Sequence, residues 1–320
     1  MRPLRLTSGL SAFVLSTLFW LGSFWVALRV GAVSDADFDL VLQLRLPRVI
    51  LASAVGMGLS VAGATLQALF TNPLCEPYTL GISSGAALGA VIGSALGYDA
   101  SYSGLAVPAF VGALLFAGVL SVISRRSTSS QLAVLLAGVM LGLLGSSLVA
   151  VWMAVSDAQG IQGALIWLMG SLSRARMEGS ILSLFGVITL SLLLWRKWRE
   201  LDAFLLGEEG ALALGVSVQQ VRTQMILLTS LLVGLCVSGA GMIGFIGLMI
   251  PHFVRRFSGS LHLTLLPLCA IWGATSLNLA DSLARTAIAP YELPVGVVTA
   301  LAGAPFFLSI LLKRMGRVEG

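Results

Sequence analysis

Long apolar segments recur along this 320-residue chain and constrain its fold more than any other feature. Most have about 20 residues, the length that an α-helix needs to cross a hydrocarbon core about 30 Å thick, whereas the strands of a membrane barrel are about half as long. The segments lie near residues 9–30, 49–70, 78–97, 104–123, 131–154, 178–195, 222–240, 243–256, 263–284 and 294–312. We therefore predict an all-α integral membrane protein with about ten transmembrane helices in a single polytopic domain, residues 1–320.

Composition and charge placement favour the same class of protein. Hydrophobic residues make up 57% of the chain and charged residues only 10%, against about a quarter in soluble domains. The apolar stretch at 9–30 exceeds the roughly 7–15 residues of a signal-peptide core, so it is interpreted as the first span. If both termini are cytoplasmic, most of the 19 Lys and Arg residues fall inside, as the positive-inside rule requires. Those left outside are Arg29, Arg45, Arg48, Arg174, Arg176 and Arg285.

The sequence lacks the motifs of nucleotide and metal chemistry. No phosphate loop of the form GxxxxGK-Ser/Thr occurs, and Lys197 and Lys313 are the only lysines, so we expect no ATP site on this chain. The two histidines, His252 and His262, both fall on the cytoplasmic side and cannot form a metal cage in an outward-facing cavity. The three cysteines lie far apart without metal-ligand spacing. We therefore expect no catalytic site and no metal site on this chain. We also expect no nucleic-acid binding, because the basic residues stand in short clusters between apolar segments.

One apolar segment carries glycine at every fourth position. In an α-helix this spacing places the glycines on one face, where a neighbouring helix can approach closely. The residues are Gly81, Gly85, Gly89, Gly93 and Gly97. We interpret them as a helix-packing surface, and a smooth wall along a substrate path is the alternative.

A short internal repeat is also present. Arg48 opens a span that contains Val-Ala-Gly-Ala at 61–64, and Arg222 opens one that contains Val-Ser-Gly-Ala at 237–240. With ten spans the two segments cross the membrane in opposite directions, which is typical of an inverted-topology transporter repeat. The predicted fold therefore includes an inverted internal repeat.

Ionisable residues within the predicted spans are scarce. Asp281 and Arg285 are spaced i,i+4 near the outer end of the ninth span and can pair on one helix face. A proton-coupled carrier would need such groups near mid-membrane for its relay. Their scarcity argues against one possible function, that of a secondary transporter or channel that works without an ATPase.

Residues 201–222 form a polar island with the sequence LDAFLLGEEGALALGVSVQQVR. The island contains two short helical patterns rather than an apolar run of span length. Its glycines permit tight turns, its acids can face a basic or polar surface, and its leucines supply apolar contact. These residues are Leu205, Leu206, Gly207, Glu208, Glu209, Gly210, Leu212, Leu214 and Gly215. A partner-binding surface and a solvated loop are both compatible with this pattern.

Several segments together resemble the permease subunits of ATP-binding-cassette (ABC) importers for iron chelates, haem and vitamin B12, the FecCD-type family. The matching segments are RLPR (45–48), GATLQALFTNPLCEPYTLGISSGAALGA (63–90), LGEEGALALGVSVQQVR (206–222), GFIGLMIPHFVRR (244–256) and LPVGVVTALAGAPFF (293–307). They follow the family's order and spacing and cover nearly the whole chain. The resemblance implies a type II importer permease with ten helices in the bacterial inner membrane.

The resemblance also implies partners and a cargo. The partners are a second permease subunit in a homodimer or pseudo-dimer, two cytoplasmic ATPase subunits that bind ATP and Mg, and a periplasmic or lipid-anchored binding protein. In this family the segment matching residues 204–220 forms two short helices that dock into the ATPase and transmit its closure. The cargo would be a metal chelate, with a ferric siderophore or haem preferred and cobalamin close behind. This chain would bind no cofactor itself.

Three arginines receive a role from the same resemblance. Arg45, Arg48 and Arg285 match the positions at which family permeases receive acidic residues of the binding protein. Charge pairs at such a rim mainly speed and orient the encounter. The alternatives are snorkelling to lipid headgroups and, for Arg285, pairing with Asp281.

A cytoplasmic gate is implied as well. Asn72 and Leu74 in one loop, and Thr128 and Ser129 in another, match regions that constrict the inner gate in relatives. Asn72 and Thr128 are equally suited to cap a turn and a helix start. Cys75, next to this gate, is expected to be a convenient labelling site.

Overall fold

A computed structural model describes residues 6–31, 39, 41–98, 102–126 and 131–315. In these residues the chain is almost entirely helical. The α-helices are α1 Leu6–Arg29, α2 Leu46–Leu69, α3 Ile82–Ala95, α4 Tyr102–Arg126, α5 Gln131–Val155, α6 Ala158–Leu168, α7 Met177–Trp195, α8 Trp198–Phe204, α9 Gly207–Ala213, α10 Val218–Ala240, α11 Ile246–Ser258, α12 His262–Thr286 and α13 Val295–Met315. A π-helical turn, Val41–Arg45, precedes α2, and a 3-10 turn, Pro77–Leu80, precedes α3. Each predicted apolar segment corresponds to one helix, and the additional helices α6, α8 and α9 are short.

Within the described residues, seven helices are long and apolar enough to cross a membrane: α1, α2, α4, α5, α7, α10 and α12. The chain is therefore a multi-pass membrane protein. Helices α3 and α11 have 14 and 13 residues, which at 1.5 Å per residue is about 20 Å, less than the thickness of the hydrocarbon core. Helix α11, which corresponds to the eighth segment, is therefore too short to span the membrane alone. The third segment, predicted at 78–97, is a 3-10 turn followed by a shorter helix.

Helix α2 lies at the centre of the molecule. In its apolar window 89% of the residues are buried, against 17% for α1. Helix α12 runs along α2, and the two backbones touch where Gly56 faces Gly273. A Cβ atom on either glycine would lie 2.2 Å from the carbonyl oxygen of the other. Such close approach of two helices requires the small residues that membrane proteins favour.

The predicted glycine stripe lies mainly between α3 and α4. A Cβ atom on Gly85 would lie 2.7 Å from the carbonyl oxygen of Gly112, and one on Gly89 would lie 2.1 Å from that of Pro108. On Gly93 it would lie 2.7 Å from the Pro108 ring. These three glycines permit the α4 backbone to pack against α3.

The two ends of the stripe differ from the rest. Gly81 precedes α3 with φ 72°, and a Cβ there would lie 2.7 Å from the carbonyl oxygen of Gly138 in α5. Gly97 follows the last residue of α3, and no atom lies within 4 Å of its Cβ position. The inclusion of Gly97 in a helical packing face is wrong, because the helix ends at Ala95.

Helices α2 and α12 join two opposite ends of the molecule. One end carries Arg48 and Arg285 and is called the arginine face. The other carries the polar segment, residues 198–217, which comprises α8, α9 and the turn that leads to α10. Large apolar side chains are exposed on the flanks between these ends, as expected for a surface that faces lipid or other membrane helices.

Candidate functional site

The polar segment consists of two short helices held to the body by apolar side chains. Leu201 and Phe204 of α8 and Ala211 of α9 are buried. The predicted range 204–220 therefore begins too late, because the first helix ends at Phe204. Its start is missed although the apolar pattern of the preceding span breaks at residues 196–197, directly before α8 begins.

Apolar side chains on the outer surface of the polar segment are exposed. Leu206, Leu212 and Leu214 are 67%, 59% and 64% exposed, and Leu205 is 42% exposed. These leucines belong to no membrane span, so lipid does not explain them. A cluster of exposed leucines on a polar segment indicates a protein-binding surface.

Two of the three glycines in this segment form turns. Gly207 at the start of α9 has φ 82°, and Gly215 after α9 has φ 79°. Residues with a side chain rarely adopt this left-handed conformation. Gly210, in contrast, lies inside α9, so the prediction that it permits a turn is wrong.

The adjacent acids of α9 have different surroundings. The Glu208 carboxylate forms an ion pair with Arg222, whose side chain is buried in the first turns of α10. Glu209 is exposed. The prediction that both acids face a partner surface therefore fits the position of Glu209, whereas Glu208 anchors α9 to α10.

Helix α8 is anchored to α12 in a similar way. The Asp202 oxygen Oδ1 accepts a hydrogen bond of 2.8 Å from the backbone N–H of His262, and it lies 2.6 Å from the ring atom Nδ1 of the same residue. His262 is fully buried at the start of α12. The carboxylate thus caps the helix and holds the imidazole ring. The sequence showed no signal that paired Asp202 with His262.

An ion cluster occupies the arginine face. The Arg48 guanidinium contacts Asp281 through Nε at 2.8 Å and Glu292 through Nη1 at 2.7 Å. Arg285 contacts the other oxygen of Asp281 through Nε at 3.1 Å, which is the i,i+4 pair considered in the sequence. The cluster joins α2, α12 and the turn before α13. Glu292 was not recognised in the sequence, although its side chain is the most exposed of the four, at 40%.

The three arginines proposed to dock a binding protein are engaged inside the molecule. Arg45 donates to the carbonyl oxygens of Leu28 and Arg29, and Arg285 donates to that of Ala27. Arg45, Arg48 and Arg285 are only 6%, 8% and 3% exposed. Docking through these residues stays a prediction, and in this conformation their charges are directed inward.

The loop after α2 lies at the same end as the polar segment. Asn72 accepts a hydrogen bond of 3.0 Å from the backbone N–H of Leu74 through its side-chain oxygen, which is the turn-capping alternative, and Leu74 is half exposed. An open cavity of about 400 Å³ separates this loop from the polar segment. Its lining residues are Gln67, Thr71, Pro73, Leu205, His252, Arg255 and Arg256. Thr128 and Ser129, the other predicted gate residues, lie outside the described residues.

Two buried groups follow this loop. The Cys75 thiol is 2% exposed, and burial raises its pKa to about 11. Burial likewise raises the pKa of the Glu76 carboxyl, although the backbone of Phe245 provides a hydrogen bond that opposes the effect. The expectation that Cys75 is easily labelled is wrong, because a reactive thiol has to be accessible and ionised.

The chain matches a known protein family over almost its entire length. Residues 4–313 match the FecCD transport family. The chain belongs to this family. Over 294 residues it is 39% identical to the hemin transport system permease protein HmuU of Yersinia pestis, covering 90% of this chain and 88% of that protein. It is also 39% identical over 315 residues to the vitamin B12 import system permease protein BtuC of Vibrio cholerae, covering 98% and 94%.

Solved structures agree with this assignment. The FecCD chain described here superposes with a TM-score of 0.86 on a chain assigned to the metal-chelate type of ABC transporters in an inward-facing conformation. The two chains are 31% identical, and the match covers 95% of this chain and 99% of the other. PsaBC from Streptococcus pneumoniae matches with a TM-score of 0.60 at 19% identity, which shows a shared fold only.

Proposed function

We propose that this FecCD protein is the permease subunit of an ABC importer that carries a metal chelate, with haem or cobalamin as the first candidates. The observation that carries the proposal is the exposed leucine surface of the polar segment, in a chain that matches haem and vitamin B12 permeases over nearly its full length. A ferric siderophore belongs to the same chemical class of cargo. ATP and Mg would be bound by the partner ATPase.

The polar segment would be the site at which the ATPase acts. Leu206, Leu212 and Leu214 offer apolar contact, and Glu209 adds an exposed negative charge beside them. A surface of this composition suits docking into a cleft that is apolar within and basic or polar at its rim. The anchored sides of α8 and α9 would pass the motion of the ATPase to the transmembrane helices.

The orientation follows from the same assignment. The polar segment would face the cytoplasm together with both termini, and the arginine face would receive the soluble binding protein on the opposite side of the inner membrane. Glu292 and the arginine cluster would meet the binding protein there. The excess of basic residues on the side of the polar segment supports this orientation.

Native mass spectrometry tests the assembly. The chain alone carries a tag, and the complex is extracted gently from its own membrane. Two copies of this chain with two nucleotide-binding subunits are the expected result. An oligomer without an ATPase, which persists under milder extraction, would contradict the proposal and favour an ATPase-independent secondary transporter or channel.

Uptake measurements test the cargo. Cells that lack the chain should lose uptake of either radiolabelled haem or radiolabelled cobalamin, and the intact gene should restore it. A variant in which Leu206 and Leu212 are both replaced by Ser should assemble in the membrane but fail to restore uptake. Full uptake by that variant would contradict the role of the leucine surface.

A further inference from the structure

Helices α2 and α12 are joined at four levels along their length, one of which is a hydrogen bond of 2.9 Å from the Asn278 side chain to the Ser53 hydroxyl. Besides the contact between Gly56 and Gly273, the Ser60 hydroxyl donates to the carbonyl oxygen of Cys269 at 2.6 Å. Near the arginine face, Arg48 of α2 forms its ion pair with Asp281 of α12. A pair of helices fixed by backbone contact, hydrogen bonds and a buried ion pair cannot slide easily, because each joint fixes the register.

The Asp202 carboxylate attaches this helix pair to the polar segment. Asp202 of α8 holds the first residue of α12 by its backbone N–H and its ring. The indole N–H of Trp195, at the end of α7, donates to the carbonyl oxygen of Leu263 at 3.0 Å and supports the same turn. Helix α9 is attached elsewhere, since its Glu208 binds Arg222 of α10. The two short helices are therefore connected to different transmembrane helices.

The carboxyl-terminal ends of α2 and α12 lie at opposite ends of the molecule. Helix α12 ends at the ion cluster of the arginine face through Asp281 and Arg285. Helix α2 runs in the opposite direction and ends at the loop that contains Asn72 and Leu74. The proline inside α12, Pro267, lies in the second turn of the helix. The rest of α12, as far as Thr286, contains no proline that would interrupt it. A displacement of α8 can thus reach the ion cluster and the loop through one packed unit.

We propose that α2 and α12 move as a single body, driven from the polar segment through the Asp202–His262 contact, and that this body links ATPase closure to the arginine face. Asp202 and His262 are positioning residues in this scheme, since they touch neither ATP nor cargo. The inference rests on the proposed function, because it needs an ATPase that acts on the polar segment. Coupling between the polar segment and the arginine face requires a structural element that contacts both, and the pair of α2 and α12 is such an element.

A label at the arginine face tests this inference. Leu283, on the last turns of α12, is 55% exposed, whereas all three native cysteines are buried, so Leu283→Cys can carry a nitroxide selectively. The label's mobility is measured in the purified complex before and after trapping with Mg-ATP and vanadate. We expect trapping to shift the mobility of the label in the otherwise native protein, and we expect this shift to be lost in Asp202→Ala. The amount of trapped nucleotide is measured in the same sample.

Matched variants separate positioning from general damage. Asp157 also caps a helix, accepting from the backbone N–H of Gly160 at 2.9 Å, but it lies outside the polar segment. Asp157→Ala should keep the shift. His262→Asn retains a side-chain N–H for Asp202 and should keep it too, whereas His262→Leu retains only the backbone N–H contact with Asp202 and should show a smaller shift. If Asp202→Ala traps no nucleotide, the inference is tested by comparing the shift of the label in His262→Asn with the shift in His262→Leu.

The outcomes distinguish this inference from the proposed function. A complex that traps nucleotide without a shift at position 283, or an Asp202→Ala complex that traps nucleotide with the full shift, would overturn the inference alone. Equal shifts in His262→Asn and His262→Leu would also overturn it. A native chain that retains no ATPase would instead contradict the proposed function itself.

Discussion

Glu208 and Glu209 are neighbours in the sequence, yet only one of them is available to a partner. The Arg222 side chain is 2% exposed and forms an ion pair with Glu208, while Glu209 is exposed. Removal of one member of such a pair leaves the other buried without compensation, which costs more than the loss of a surface charge. The same local sequence thus holds a structural acid and a candidate binding acid.

The two acids should respond differently to neutralisation. Glu208→Gln is expected to lower the free energy of unfolding by about 1–3 kcal/mol, because the buried Arg222 loses its counter-charge. Glu209→Gln should change it by no more than about 0.5 kcal/mol and should weaken retention of the ATPase. Thermal unfolding in detergent and co-purification of the ATPase measure the two effects. Equal melting temperatures would contradict this assignment.

Cys75 offers a test by pH. Because burial raises the pKa of its thiol to about 11, the reactive thiolate is rare at pH 7 and increases as pH rises. We expect slow alkylation by a maleimide at pH 7, with a rate that grows about ten-fold per pH unit toward pH 10. Leu74→Cys in a Cys75→Ala background is the matched control, since Leu74 is half exposed. Fast labelling of Cys75 at pH 7 would show that this thiol is accessible.

At the scale of elements, the ion cluster of the arginine face fixes the ends of α2 and α12. Asp281 is 1% exposed on its side chain and contacts both Arg48 and Arg285, whereas Glu292 contacts Arg48 alone and is 40% exposed. The apolar segments predicted ten of the described helices, because the hydrocarbon core selects the length and composition of every span separately. The ion pairs that join different helices in this cluster could not be predicted from the apolar segments.

The two acids of this cluster should differ in their contribution to stability. Asp281→Asn leaves two buried guanidinium groups short of charge and should lower the free energy of unfolding by about 3–5 kcal/mol. Glu292→Gln removes the same charge from a more exposed position and should cost less than about 1 kcal/mol. Melting temperatures of the two variants in the same detergent measure the difference. A larger loss for Glu292→Gln would contradict the buried position of Asp281.

For the whole molecule, the orientation in the membrane is the first property to establish. Leu206 on the polar segment and Tyr291 near the arginine face are strongly exposed at opposite ends. In intact cells, a membrane-impermeant maleimide should label Tyr291→Cys and spare Leu206→Cys, and in inverted vesicles stripped of the bound ATPase the pattern should reverse. Background labelling should be low, because Cys75, Cys236 and Cys269 are buried. The opposite pattern would invert the proposed topology.

The helical membrane class, the positions of ten helices and the family could all be predicted from the amino-acid sequence. Those properties depend on local composition and on motifs such as RLPR and LGEEGALALG, which are visible without a partner in space. Which charges from distant parts of the chain meet depends on how the helices pack. Arg48 and Asp281 lie 233 positions apart, and Asp202 and His262 lie 60 apart. In a chain with few charges, the packing of the helices selects each partner, so burial rather than residue type separates the anchoring residues from the exposed ones.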